Sequence, residues 1–189
     1  MAYGKPQTHN TCCANSDSHA KREPAVLSCG SGAGLTLPVS SPSNGCSGGC
    51  WKPPALVVGS VAVNTQEMSN PTVKIDFSSI INYGTQSCSG QFFIGIIFQL
   101  SKVCDHGSKV PLNTWIFQKG FDLFQQDVMG QRNGLSVVSD FQDPFEFTWC
   151  ECQDCPGCCS YILEIIDFHT DYITHVSITN VNINALAVE

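Results

Sequence analysis

The chain has 189 residues, nine Lys and Arg against sixteen Asp and Glu, a net charge of -7 and 42% hydrophobic residues. That length and apolar content suffice for one domain with a buried core and require no second, while an acidic balance spread without runs argues against nucleic acid, which rewards a basic stripe. Charged residues make up 13% of the chain, well under the soluble average of roughly 25%, and the uncharged surface this leaves is what a protein that packs against copies of itself requires.

Residues 1–24 read as a flexible N-terminal connector arm and residues 25–189 as a cysteine-rich domain. No branched aliphatic residue precedes Val26 and Tyr3 is the arm's one aromatic, so the segment alone cannot bury enough apolar area to offset its ordering entropy. Extended, it reaches about 80 Å. It carries Cys12 and Cys13, and the ten cysteines that remain in the body are an even number, able to saturate one another and leave this pair for a partner. Twelve cysteines suggest an oxidising destination, yet Met1 to Asn15 contains no apolar h-region and is no recognisable signal peptide. The longest apolar stretches, FFIGIIF and YILEIIDF, have strand length and fall short of the ~20 residues of a membrane span. Release by lysis of the producing cell, as when a spore-forming mother cell disintegrates, reconciles cytoplasmic synthesis with an extracellular or spore-surface location; a removed leader is the alternative.

In Ala25 to Ser41, AVLSCGSGAGLTLPVSS, the glycines at 30, 32 and 34 make a GxGxG. A phosphate loop needs Lys-Ser/Thr, or GxGxxG entering a helix, whereas here LTLPV continues as strand and Pro38 would break a helix. Ser41 to Pro54 is a loop by composition. From Leu56 onward LVVGSVAVN, TVKIDFSSII, QFFIGIIFQL, NTWIFQKGFDLF, GLSVVSDF, FEFTWCEC, CSYILEIIDFHT and THVSITNVNINALAV read as strands. The last requires one slip of register to align Val176, Ile178, Val181 and Ile183, and Phe121 to Met129 is a candidate short helix. About eight strands without intervening helices predict an all-β fold, a jelly-roll-like β-sandwich.

Five of the twelve cysteines, Cys150, Cys152, Cys155, Cys158 and Cys159, form CxCxxCxxCC between two apolar strands. Cys150 and Cys152 share a face if one strand runs through both, and adjacent Cys158 and Cys159 must point to opposite faces and find different partners. The cluster reads as disulfides or as a metal site. Zinc and iron-sulfur centres favour regular paired thiolates, and Cys46 and Cys50 in CSGGC are the available second pair, equally suited to a loop closed by a bridge. Cys104 is a further bridge candidate, with Cys88 across a hairpin as its partner. The sequence assigns no metal and no cofactor.

Other chemistry is thinly signalled. His169 and His175 flank a turn with Asp167 and Asp171 nearby, Asp140 to Asp143 is an acid-bearing turn, and no HExxH, GxSxG or paired-carboxylate signature occurs. Trp115 and Trp149 lie in strands and suit a core. Trp51, in a loop, is the candidate for a carbohydrate-stacking face.

AVLSCGSGAGLTLP, NTWIF, DPFEFTWCECQDCPGCC and SYILEI resemble a cysteine-rich family of spore-forming clostridial relatives, domain of unknown function 4489, over residues 25–189. A looser similarity is to subunits of bacterial endospore appendages, jelly-roll proteins whose N-terminal connectors carry a CC pair and a further Cys and bond to preceding subunits. Here Cys12, Cys13 and Cys29 follow that order, with fifteen residues between Cys13 and Cys29 where a shorter gap is expected. The resemblance implies no enzyme. It implies a structural subunit partnered with copies of itself in a disulfide-stabilised filament, with Cys12, Cys13 and Cys29 as cross-link candidates. A metal-binding domain and a carbohydrate-binding module are the alternatives.

Overall fold

The computed structural model describes residues 25–39, 54–87, 91–105, 107–121, 137–152 and 157–189. The connector segment 1–24, the candidate helix from Asp122 onward, Trp51, Cys46, Cys50, Cys88 and Cys155 lie outside them.

Ten strands form two antiparallel sheets. They are β1 (Ala25–Cys29), β2 (Ser31–Gly32), β3 (Leu35–Leu37), β4 (Leu56–Asn64), β5 (Thr72–Ser87), β6 (Phe92–Cys104), β7 (Val110–Phe121), β8 (Val137–Cys152), β9 (Cys158–Asp171) and β10 (Ile173–Val188). One sheet has the order β1-β10-β5-β8, with β3 also on β10, and the other β2-β4-β9-β6-β7. The described residues contain no helix, and the all-β sandwich expected from strand spacing is the fold.

Alternation explains which face each strand buries. In β5 Val73, Ile75, Phe77, Ile81 and Tyr83 point into the core, and Ile94, Ile96, Phe98 and Leu100 of β6 meet them from the opposite sheet. Burying one such side chain contributes roughly 1.5–3 kcal/mol. The register slip expected near Val181 is a bulge between Thr179 and Asn182, where Asn180 takes a left-handed φ of 52°, a conformation Asn tolerates.

The SCGSG stretch is where the chain changes sheets. β1 pairs with β10, β2 with β4 in the other sheet, and β3 again with β10. A Cβ on Gly30 would lie 2.4 Å from the Ser60 carbonyl oxygen, and one on Gly32 would lie 2.5 Å from that of Val181. These glycines serve backbone close approach.

β8 departs from expectation. GLSVVSDF and FEFTWCEC are segments of one sixteen-residue strand, continuous through Asp140–Asp143, which is therefore not a turn. Pro144 is accommodated because β8 is the last strand of its sheet among the described residues, where a missing N–H costs no ladder bond. Its inner row crosses the sandwich at every step. Phe141 stacks on Phe92, Phe145 on Phe98 and Phe147 on Trp115, with centroids 5.6, 4.5 and 3.8 Å apart, and Trp149 meets Trp115 edge-on at 6.2 Å. Among these rings Asp143 accepts a hydrogen bond from Tyr83 Oη (2.8 Å) and pairs with Lys119 of β7 (3.2 Å). Burial, then the Asp143 hydrogen bond, raises the Tyr83 pKa far above that of a free phenol. At the strand's other end Glu151 accepts from Lys102 Nζ (2.8 Å) and Tyr161 Oη (2.7 Å).

Phe98, fully buried between Phe77 and Phe145, is the most costly single truncation in this layer. Phe98→Ala is expected to lower unfolding free energy by about 3–5 kcal/mol in urea titration, and Leu27→Ala, at a side chain 71% exposed, by less than about 0.5 kcal/mol.

Candidate functional site

Strand registers gather the described cysteines toward one end of the sandwich. β6 ends at Cys104, β8 at Cys152, and β9 begins at Cys158. Cys104 lies directly opposite Cys159 in the β6–β9 ladder, their Cα atoms are 4.1 Å apart, and they form a disulfide. This replaces the expected Cys88 partner: β5 and β6 are sequential but lie in different sheets, so they do not form the hairpin on which that expectation rested. Cys152 is disulfide-bonded as well, a state in which its sulfur is no thiolate and one of the clustered cysteines considered for a metal is lost as a ligand. Among the described residues no group of three or more His, Cys, Asp or Glu is placed to hold a metal.

Cys158 and Cys159 point to opposite faces, Cys158 exposed and Cys159 buried. The β9 start is held by backbone and side-chain bonds. Asp105 N–H donates to the Cys158 carbonyl (3.1 Å) and its carboxylate accepts the Cys158 N–H (3.2 Å). The Thr65 N–H and hydroxyl both donate to the Gly157 carbonyl, at 2.9 and 3.0 Å. These bonds tie the ends of β4 and β6 to the start of β9.

Cys150 and Cys152 share the outer face of the β1-β10-β5-β8 sheet, opposite Lys74 and Thr72. Cys29, an exposed free thiol, lies on the same face in the cross-strand row Cys29, Asn184, Asp76, Thr148. That row borders a polar trough of about 440 Å³ lined by Asp76, Glu146, Thr148, Asn182 and Asn184. Desolvation raises the Asp76 pKa, but hydrogen bonds from Lys74 and Thr148 outweigh it and hold the carboxyl below its ordinary 3.8. Thr148 Oγ1 donates at 2.6 Å and Lys74 Nζ lies 2.8 Å away. Cys29 stands three strand spacings from Cys150, roughly 14 Å, beyond the ~7 Å that a disulfide spans. Free, exposed Cys158 belongs to the other sheet. Cys29 is therefore placed to bridge neither to Cys150 nor to Cys158. Ala25 pairs with Val188 in line with Thr72 and Cys152, so the segment bearing Cys12 and Cys13 joins the body at this same end.

The other sequence candidates are dispersed. His169 lies on β9 against Phe93, ring centroids 5.7 Å apart, and His175 lies on β10 of the opposite sheet, 3.9 Å from Asp140. Trp115 and Trp149 are core rings, with the Trp149 Nε1 buried and unpaired among the described residues.

Fold and cysteine end together define a small disulfide-bonded β-sandwich with exposed free thiols on its surface. The chain belongs to the family of the domain of unknown function DUF4489, whose model matches residues 23–188. No curated protein sequence matches it. Among solved structures it is similar, at 12% identity and a TM-score of 0.33, to a chain of "Structure of infectious bursal disease virus Gx strain". That alignment covers 99% of this chain and 36% of the viral one, so this chain spans about a third of its neighbour, and the likeness is too slight to bear on function.

Two outcomes follow from this geometry. The Cys104–Cys159 bridge closes a 55-residue separation, so Cys104→Ser/Cys159→Ser is expected to lose about 4 kcal/mol in the chain-entropy account. Thermal denaturation should show the loss in oxidising buffer and no difference from the parent in reductant, and Cys158→Ser should be silent in both. The folded Asp76 pKa lies below the unfolded one, so its contribution is complete above about pH 4 and fades as pH falls through the folded value. The stability difference between the parent and Asp76→Asn, followed by urea midpoint, should accordingly be largest near pH 6 and shrink below pH 4.

Proposed function

We propose that the chain is a non-enzymatic structural subunit that self-assembles into a disulfide-stabilised fibre, extracellular or on a spore surface. Residues 1–24 would link each subunit to a neighbour. The observation that carries this reading is the pattern of thiol use at the cysteine-rich end. Cys104 and Cys159 are satisfied inside the fold, while Cys29 and Cys158 stand exposed as free thiols too far apart to join. Neither has a bonding partner among the described residues, and Cys12 and Cys13 would be a matching supply from a neighbouring subunit. Cys29, beside the polar trough, is the better placed acceptor for an incoming peptide. Two thiols would form the bond by giving two electrons and two protons to molecular oxygen or to a small disulfide.

The strand order also supports a jelly roll as the subunit's topology. β1-β10-β5-β8 over β4-β9-β6-β7 is what two interleaved Greek keys produce. β7 and β8, twelve and sixteen residues long, are the last strands of their sheets among the described residues, and such edges would offer backbone groups for lateral contact.

Negative-stain electron microscopy of the air-oxidised full-length protein is expected to show uniform filaments. Cys12→Ser/Cys13→Ser should remain folded while losing the detergent-resistant multimers seen on non-reducing gels. Dispersed particles from the fully oxidised parent would remove the fibre reading; multimers unchanged in the double variant would remove the connector role.

A further inference from the structure

The end of the sandwich opposite the cysteines carries a cleft of about 380 Å³ lined by Gln91, Phe92, Phe93, Gly120, Phe121 and Asp171. Phe93, Gly120 and Asp171 are register partners across β7, β6 and β9. Gly120 keeps the floor open, since a Cβ there would lie 3.2 Å from the Phe92 carbonyl oxygen and 3.3 Å from the Phe93 ring. Phe121 is 53% exposed. Asp171 is exposed and makes no ion pair among the described residues, and nearby Lys119 is turned to Asp143. Aromatic faces beside an uncommitted carboxylate form a receptor for a cationic side chain, which gains ring-quadrupole and ion-pair attraction together.

We infer that this cleft binds the basic pair Lys21-Arg22 of a second copy of the chain. Tether length decides between the chain's own pair and a neighbour's. Lys21 and Arg22 precede Ala25 by four and three residues, a reach of about 13 Å, and Ala25 sits beside Val188 at the cysteine-rich end. The cleft lies at the other end of strands that run sixteen residues, about 50 Å away. The pair cannot occupy its own cleft, but it meets that of a copy stacked end to end. The inference deepens the fibre reading by naming the acceptor that sets subunit polarity before any disulfide forms.

The test uses the full-length Lys21→Ala/Arg22→Ala chain, whose own segment cannot compete, and a fluorescein-labelled peptide of residues 14–25, which lacks cysteine. Anisotropy titration at low salt is expected to show saturable binding. Asp171→Lys in that background should weaken it at least tenfold, Phe121→Ala about fivefold, and a peptide with Lys21→Asp and Arg22→Asp should regain affinity for the Asp171→Lys protein. Failure of the peptide to bind, or equal binding to the Asp171→Lys protein, overturns the cleft assignment. The two readings separate cleanly. Filaments from the parent chain without peptide binding sink the cleft and leave the fibre; peptide binding without filaments sinks the fibre and leaves the cleft as a cation receptor.

Discussion

The inner row of β8 holds the two sheets together along their open side. Six successive inward positions, from Phe141 to Glu151, each reach a residue of the opposite sheet or a group bonded to it, four through rings and two through carboxylates. Ring pairs of this kind contribute about 0.5–1.5 kcal/mol beyond their buried area. The carboxylates fix register, because a one-residue slip would move Asp143 away from Tyr83 and Lys119 and turn every ring to solvent. An edge strand anchored this way can leave its hydrogen-bonding side unpaired without peeling off.

This anchoring frees the cysteines from holding the core. Cys104 and Cys159 bond across a ladder pair that β6 and β9 already form, so the bridge reinforces an existing contact instead of creating one. The start of β9 is fixed by Asp105 and Thr65. With architecture secured by packing and hydrogen bonds, surface thiols such as those of Cys29 and Cys158 are available for chemistry between molecules.

Alternation made most of the fold legible in the sequence. The period-2 pattern of β5 and β10, including the slip at Asn180, follows from one face being buried, and the opposed faces of Cys158 and Cys159 follow from the pleat alone. What failed to show was what depends on strands distant in the chain. Cys104 and Cys159 meet because β9 inserts between β4 and β6, an order that no local signal encodes, and the hairpin logic that suggested Cys88 assumes sequential strands are neighbours. GLSVVSDF and FEFTWCEC read as separate strands, with Asp140 to Asp143 as a turn, because acidic residues beside a proline look like a turn locally, and only pairing with distant β5 shows that the strand runs through them. The glycines of SCGSG were visible as unusual, but their purpose is set by Ser60 and Val181, which come much later. The aromatic cleft draws on three strands, and its sequence trace is no more than Phe pairs and an Asp at a turn.

The two ends of the molecule differ chemically, and that difference constrains assembly. One end presents thiols and the chain's entry point; the other presents Phe121 and Asp171. Surfaces that complement each other without complementing themselves associate heterologously, and a heterologous contact that does not close into a ring propagates as a filament. A subunit charge of -7 opposes such stacking, with a repulsion that fades beyond the ~8 Å Debye length of physiological salt. Weak end-to-end recognition under that repulsion would stay reversible. In the proposed fibre, a disulfide formed after docking would convert a marginal equilibrium into an assembly that only reduction undoes, which would give the exposed thiols a physical reason to sit where the chain enters the body.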